Sequence, residues 1–151
     1  MSSSVRTELS DEQRDVLQPG STGILITVGE DGLPTTAFVW AVATSSKTVR
    51  FATEGSATLA NLRREGGVSL QIIGSQNQVF LIKGKTSIAK PRLEALPFES
   101  TMMSLHVTEV KDQRWPEVFV SPLTYEWTSD RRDEWRAIEQ AVYKEMKNWR
   151  G

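Results

Sequence analysis

Apolar and polar residues alternate with a period of two along much of the chain between residues 23 and 84. Such alternation is typical of β-strands that turn one face toward a core. The predicted strands cover residues 24–28, 37–42, 49–53, 68–72 and 79–84. The Asp-Gly step at residues 31–32 predicts a hairpin between the first two. Residues 79–82 are apolar on both faces, which predicts a strand covered on both sides, as in a barrel packed by a helix or a partner.

Helical signals flank this block and interrupt it once. The predicted helices cover residues 11–18, 56–64 and 129–149. Ser10 and Gln13 have the spacing of a capping box at the start of the first helix, and Ser56 is the expected cap of the second. The third helix carries a single apolar stripe from Trp135 to Trp149, at steps of three and four residues.

Two later stretches complete the prediction. Residues 91–107 are interpreted as helical with an interruption at Pro97, and residues 118–127 as a late strand bent at Pro122. About six strands with one inserted and two terminal helices predict a mainly β fold, an antiparallel barrel with helical additions.

The length of the chain predicts a single domain. Its 151 residues are within the usual range for one compact unit, so we assign residues 1–151 to one domain. Residues 1–8 are polar and expected to be mobile, and residues 129–150 form the terminal helix.

Composition excludes several function classes. The chain has no Cys and one His, which rules out disulfide scaffolds, thiol catalysis and a multi-histidine metal site within one chain. Its net charge of −1 argues against nucleic-acid binding. No apolar run reaches the ~18 residues of a membrane-spanning helix, and no secretory signal is evident. We therefore expect a cytoplasmic protein with neither a nucleic-acid nor a membrane partner.

The junction between the third predicted strand and the inserted helix is the most informative local arrangement. Ser56 and Thr58 offer hydroxyl groups there, and the start of the helix offers free backbone amides; together these groups can hold a phosphate. The competing interpretation is an ordinary helix cap, which is favoured when this segment is taken alone.

Other polar candidates have structural explanations. His106 lies between two apolar residues, so a structural position is favoured over a role as general base. The basic pair at residues 131–132 lies near Trp127 and Trp135, a combination also found in nucleic-acid binders. A solvated helix face with the tryptophans packed inward is the favoured interpretation.

Several short motifs occur in a fixed order along the chain. They are Gly32-Leu33-Pro34, residues 49–53, Ser56 to Arg64, residues 68–70, a strand that ends at Gly84, Val120-Ser121-Pro122, and Tyr125-Glu126-Trp127. In this order they resemble the pyridoxamine 5′-phosphate oxidase-like proteins, whose fold is an FMN-binding split β-barrel. The last two are similar to the closing strand of that family, and the resemblance covers residues 9–127.

The resemblance implies a six-stranded antiparallel split β-barrel of Greek-key type, in a homodimer that binds FMN and a small-molecule substrate. The implied cofactor-binding residues are Thr36, Ala37, Phe38, Val39, Trp40, Ala52, Thr53, Ser56, Thr58 and Gln78. The chain departs from the family where two basic residues usually grip the phosphate, because Ala57 and Thr58 stand there.

This departure leaves three interpretations open. Charge-assisted bonds to phosphate are about twice as strong as neutral ones, so we expect weak FMN binding unless Arg50, Arg63 or Arg64 supplies a cation. The leading hypothesis is an FMN-dependent oxidoreductase or flavin-binding protein. The alternatives are a deazaflavin-dependent reductase and a cofactor-free binding or stress-associated module. The resemblance does not identify the substrate or a catalytic residue, and vitamin B6 phosphate oxidation is not expected because the family's C-terminal Arg and His motif is absent.

Overall fold

A computed structural model describes residues 5–65 and 67–151 of the chain. Within these residues the elements are β1 (Val5–Arg6), α1 (Asp11–Leu17), β2 (Ser21–Val28), β3 (Pro34–Ala43), β4 (Thr48–Thr53), α2 (Ser56–Glu65), β5 (Gly67–Ile73), β6 (Val79–Lys90), β7 (Thr101–Asp112) and α3 (Arg132–Asn148). The glycine at position 66, which the sequence predicts as part of the end of the second helix, lies outside the described residues. No helix of the described part is long and apolar enough to span a membrane.

Six of these strands close into an antiparallel barrel. Their order is β7-β4-β3-β2-β5-β6, and β6 pairs again with β7 to complete the ring. The predicted fold class is confirmed: the protein is mainly β, with a closed six-stranded barrel, one extra strand and helical additions. The extra strand is β1, whose residues Val5 and Arg6 pair with Lys111 and Val110, although the sequence analysis expected them to be mobile.

The alternation along the strands separates two apolar cores. Val39 and Ala41 of β3 point into the barrel, where the buried side chains include Phe51 and Phe80. The opposite face of β3 packs outside the barrel, where Val42 contacts a second apolar cluster beneath α3. This double burial explains why β3 is apolar on both faces.

The interpretation of residues 91–107 as a helix was wrong. Strand β6 continues past Gly84, where the sequence analysis ended it, as far as Lys90, and β7 begins at Thr101. A bulge between Lys83 and Gly84 bends β6 at this point, and a Cβ on Gly84 would overlap the carbonyl oxygen of His106. The apolar residues of β7 were interpreted as a helical face because their spacing does not reveal that the segment pairs on both sides. That pairing determines the strand.

The late strand predicted over residues 118–127 is also absent, because the segment makes isolated contacts rather than a ladder. The amide of Leu123 donates to the carbonyl of Ile73 at 2.9 Å. The Asn77 side chain donates to the Val118 carbonyl and accepts from the Val120 amide, at 3.1 and 2.8 Å. These bonds fasten the segment across the end of the barrel.

The ends of α1 and α2 test two capping predictions. At α1, Ser10 and Gln13 form both bonds of the capping box, as predicted. At α2, the amide of Leu59 donates to the carbonyl of Gly55, so Gly55 holds the cap position and Ser56 is the first helical residue. The prediction of Ser56 as the cap was therefore wrong by one residue.

The predicted terminal helix is confirmed as α3, whose C-terminal end is bound to the barrel by polar contacts. Arg50 donates to the carbonyls of Met146 and Trp149 at 2.8 and 2.6 Å. The Nζ atom of Lys90 lies 2.8 Å from a carboxylate oxygen of Glu145 and 4.2 Å from the centroid of the Trp149 ring. Cations at this end also suit the negative pole of the helix dipole.

Glu145 is the centre of this network. Its carboxylate accepts bonds from Lys90 and from the backbone amides of Glu94 and Ala95, at 2.8–2.9 Å. Burial alone would raise the pKa of Glu145, but these three bonds favour the charged form and hold the pKa below its usual value. The ionised carboxylate therefore stabilises the folded chain.

We expect Glu145→Gln to lower the free energy of unfolding at neutral pH by about 1.5–3 kcal/mol, because a charged hydrogen-bond acceptor is lost. Since the folded pKa is depressed, the wild-type advantage is present above the ordinary pKa of 4.5 and disappears as the pH falls through the folded value. Urea unfolding of both proteins at several pH values measures this difference. Glu134→Gln is the control, because Glu134 pairs with Arg131 in solvent and such pairs contribute little. Equal losses in the two variants would contradict the prediction.

Candidate functional site

A cleft of about 820 Å³ lies beside β3. Its walls are the middle of β3, the end of β4, the start of α2, and residues 123–125 and 127 of the segment that follows β7. Trp135 of α3 closes one side. The volume is within the usual range for sites of small molecules and cofactors.

Aromatic rings form much of the wall. Trp127 stacks on Trp135 with 5.2 Å between ring centroids and an angle of 11° between planes. The edges of Trp40 and Tyr125 pack against Trp127 at 6.3 and 5.7 Å. Phe38, on β3, is 73% exposed and forms part of the open side. Such a wall suits a planar ring system, because aromatic faces and edges contribute attraction beyond burial of area.

The opposite end of the cleft is polar and lies at the N-terminus of α2. Thr53, Gly55 and Thr58 line it, and the first turn of the helix contains no acidic residue. Free amides and the positive end of the helix dipole are therefore available to an anion. Glu54 is the one charged residue in the lining, counted over the described part of the chain.

The cleft brings together seven of the ten residues that the resemblance implied as cofactor-binding. They are Ala37, Phe38, Val39, Trp40, Ala52, Thr53 and Thr58. Their role in binding stays a prediction, but their assembly in one cleft means that they can contact a single ligand.

Three implied residues lie outside the lining. Thr36 is exposed further along β3, where it pairs with Ile26. Ser56 is exposed on the first turn of α2. Gln78 is buried in the connection between β5 and β6, where its carbonyl accepts from the Gly74 amide at 2.8 Å.

The arginines considered as substitute cations do not line the cleft. Arg50 is bound to the C-terminal end of α3, as described above. Arg64 donates to the Val28 carbonyl at 2.8 Å and to the Asn61 side chain at 2.7 Å. Arg63 is exposed on the last turn of α2, at the far end from the cleft.

The other candidates from the sequence also have structural explanations. His106 is exposed on β7 and pairs with Thr48 of β4, which fits the structural interpretation. Arg131 pairs with Glu134 at 2.6 Å and lies 5.6 Å from the Trp135 ring, as on a solvated helix face. Within residues 5–65 and 67–151 no group of acidic, Cys or His side chains could hold a metal ion.

Sequence reasoning missed more than half of the residues that line the cleft. The missed residues include Leu96, Phe98, Ser100, Leu123, Tyr125, Trp127 and Trp135. The signal available for the last three was an unusual density of aromatic residues near the C-terminus, which the sequence analysis assigned to helix packing and a strand. Their approach to β3 depends on contacts across about 90 positions of sequence, which local pattern does not encode.

Comparison with known proteins identifies the family. The family model described as pyridoxamine 5′-phosphate oxidase matches residues 9–122, most of the chain. The chain therefore belongs to this family. A comparison with curated protein sequences gives no significant match.

Solved structures share the fold at low sequence identity. An F420 reductase is 17% identical, with a TM-score of 0.53, covering 63% of this chain and 91% of its own. General stress protein 26 from Bacillus anthracis is 15% identical, with a TM-score of 0.53, covering 67% and 91%. A FAD-binding protein from Mesorhizobium loti is 16% identical, with a TM-score of 0.50, covering 75% and 100%. Proteins of this fold thus include ones named for flavin-type cofactors.

Proposed function

We propose that the chain is an FMN-dependent oxidoreductase that binds the flavin in the cleft between β3 and α2. The observation that carries the proposal is the assembly of the implied contacts in one place. Seven residues that the family resemblance implied as flavin contacts line one cleft of about 820 Å³. Tyr125, Trp127 and Trp135, which were not among the implied contacts, add aromatic rings to its wall. Family membership and structural neighbours named for F420 and FAD support the same class of cofactor.

The two ends of the cleft fit the two parts of FMN unequally. Phe38 and Trp40 of β3 and the stacked tryptophans offer flat apolar surface to the isoalloxazine ring. The phosphate would be held by Thr53, Thr58 and the free amides of α2. Because no Lys or Arg of the described residues lines the cleft, this end forgoes a charge-assisted bond and we expect loose binding.

The flavin, when bound, supplies the hydride or electron transfer itself. The residues of the chain orient the ring, and the aromatic wall excludes water from one side of it. Glu54 and Tyr125 are the ionisable groups in the lining, within the described residues, that can exchange a proton with a substrate. The substrate class is not specified by these contacts.

Two alternatives have a specific observation in their favour. A deazaflavin cofactor is favoured by the structural likeness to an F420 reductase. A cofactor-free binding module is favoured by the lack of a cation among the described lining residues. Both use the same cleft, so direct binding measurements with FMN and with F420 separate them from the main proposal.

We further propose that the protein acts as a homodimer in which a second copy covers the open side of the cleft. Phe38 and Phe98 line the opening and are 73% and 39% exposed. Trp115 and Phe119 are 64% and 74% exposed. Large aromatic side chains are enriched at protein–protein interfaces, so their exposure here supports the proposal.

We expect Thr58→Lys to tighten FMN binding about ten- to a hundredfold, because one charge-assisted bond to the phosphate is added. The gain should shrink as salt is raised, since the new charge pair is screened. Fluorescence titration with FMN measures the affinity, and riboflavin, which lacks the phosphate, should bind both proteins equally. Ser56→Lys is the matched control, because Ser56 lies on the same helical turn but outside the cleft.

Equal affinity of the wild type and Thr58→Lys for FMN would overturn the assigned position of the phosphate. Absence of FMN binding to both at millimolar concentration would overturn the flavin proposal. Binding of F420 under the same conditions would then support the deazaflavin alternative, and binding of neither cofactor would support the cofactor-free module.

We expect light scattering of the wild type at micromolar concentration to give the mass of a dimer, and Phe38→Glu to give a monomer because a charge is placed in the apolar contact. Val5→Glu is the control, since Val5 is 58% exposed but does not line the cleft. A monomeric wild type would contradict the dimer.

A further inference from the structure

Residues 91–100, here called the wall segment, connect β6 to β7 without regular secondary structure. Leu96, Phe98 and Ser100 of this segment line the cleft of about 820 Å³. Leu96 is buried and also belongs to the apolar cluster beneath α3, whereas Phe98 is 39% exposed. The wall segment is therefore part of the candidate site and lies against the terminal helix.

The two ends of the wall segment are held by bonds that do not involve α3. The amide of Leu93 donates to the carbonyl of Ser100 at 2.8 Å. The hydroxyl of Ser100 donates to the Thr53 carbonyl at 3.3 Å. The hydroxyl of Thr101 donates to the Pro91 carbonyl at 3.1 Å. These bonds fix the ends of the segment but do not reach its middle.

Glu145 of α3 holds the middle of the wall segment. Its Oε2 and Oε1 atoms accept from the amides of Glu94 and Ala95 at 2.9 and 2.8 Å, directly before Leu96 in the chain. Among the described residues, no other hydrogen bond reaches the backbone of residues 94–99. An ionised carboxylate suits this position because both of its oxygens only accept hydrogen bonds, whereas a carboxamide would turn an NH₂ group toward a donor.

Apolar packing is the competing explanation for the position of the wall segment. Leu93 and Leu96 belong to the same cluster as Val142 and Met146 of α3, and their burial also favours the observed arrangement. Phe98 is not part of this cluster. Its place in the cleft therefore depends on the path that the backbone takes from the two amides bound by the carboxylate.

We propose that Glu145 is a positioning residue of the cleft, whose ionised carboxylate holds the wall segment where Leu96 and Phe98 can contact a ligand. That this ligand is a flavin rests on the proposed function, whereas the position of the wall does not. Without the carboxylate, the ligand itself must order Leu96 and Phe98 as it binds, and such ordering lowers affinity.

The position of the wall is tested on the full chain without a ligand. The readout is the ¹⁹F spectrum of protein that carries 4-fluorophenylalanine at its five phenylalanine positions. The resonance of Phe98 is assigned by its loss in Phe98→Leu. That of Phe80, which is buried inside the barrel, is assigned by its loss in Phe80→Leu. We expect Glu145→Gln to shift the Phe98 resonance and to leave the Phe80 resonance unchanged.

Ligand binding is tested with riboflavin, which has the flavin ring but no phosphate, and FMN replaces it if riboflavin does not bind. We expect Glu145→Gln to weaken binding about tenfold in a fluorescence titration, because Leu96 and Phe98 are no longer held in place. Ser10→Ala is the control, since it removes the cap of α1 and so lowers stability, but Ser10 does not line the cleft. Its affinity and its Phe98 resonance should match those of the wild type.

Three results would overturn the proposal. They are an unchanged Phe98 resonance in Glu145→Gln, equal flavin affinity of this variant and the wild type, and the same changes in Ser10→Ala, which would trace them to lower stability. If the wild type binds neither riboflavin nor FMN, the flavin proposal fails, while the ¹⁹F measurement still decides the position of the wall. If Glu145→Gln does not fold, Glu145→Asp replaces it. That variant keeps the charge beside Lys90 but shortens the side chain by one methylene group, and the same changes are expected.

Discussion

Strand β7 is the constraint on which the rest of the structure depends. Its residues pair with β4 over 101–106 and with β6 over 102–112, so one strand closes the sheet into a barrel. Closure removes the exposed edges and buries the interior side chains from all directions. It also brings the end of β4 beside Ser100, whose hydroxyl donates to the Thr53 carbonyl at 3.3 Å. The polar end of the cleft is thus built on the closure of the barrel.

Helix α3 forms part of the wall of the cleft. Its C-terminal end is fastened by Arg50, by the contacts of Glu145 and by the Trp149 indole, which donates to the Ala89 carbonyl at 3.1 Å. Met146, near the same end, is buried against the barrel. Trp135, near the other end of the helix, lines the cleft. A helix attached outside the barrel is therefore part of the candidate site.

The cleft differs from an ordinary phosphate site in its charge distribution. The aromatic wall favours a flat ligand, and the first turn of α2, which holds no acidic residue, favours an anionic end, whereas Glu54 just before that turn opposes it. The nearby arginines are used elsewhere, Arg50 at the end of α3 and Arg64 on Asn61 and the Val28 carbonyl. These two cations therefore stabilise the fold. A phosphate in the cleft would be bound by backbone amides and hydroxyl groups.

The sequence by itself determined the elements whose burial follows a regular period. The alternation in β2, β3 and β5, the capping box at Ser10 and the apolar stripe of α3 all reflect local geometry, so their pattern is sufficient to identify them. The ordered motifs also led to the family and to seven residues of the cleft. The periodic features share one physical reason: each depends on residues close together in the chain.

Only the tertiary structure decided the remaining features. Residues 101–107 form a strand because β4 and β6 offer hydrogen bonds on both sides, and their spacing alone had suggested a helix. Residues 123–127 lie across the end of the barrel because single bonds to distant residues hold them there. The Trp127–Trp135 stack likewise arises where separate segments meet. Such contacts depend on which surfaces the closed barrel leaves available, and that information is not contained in the periodicity of any one segment.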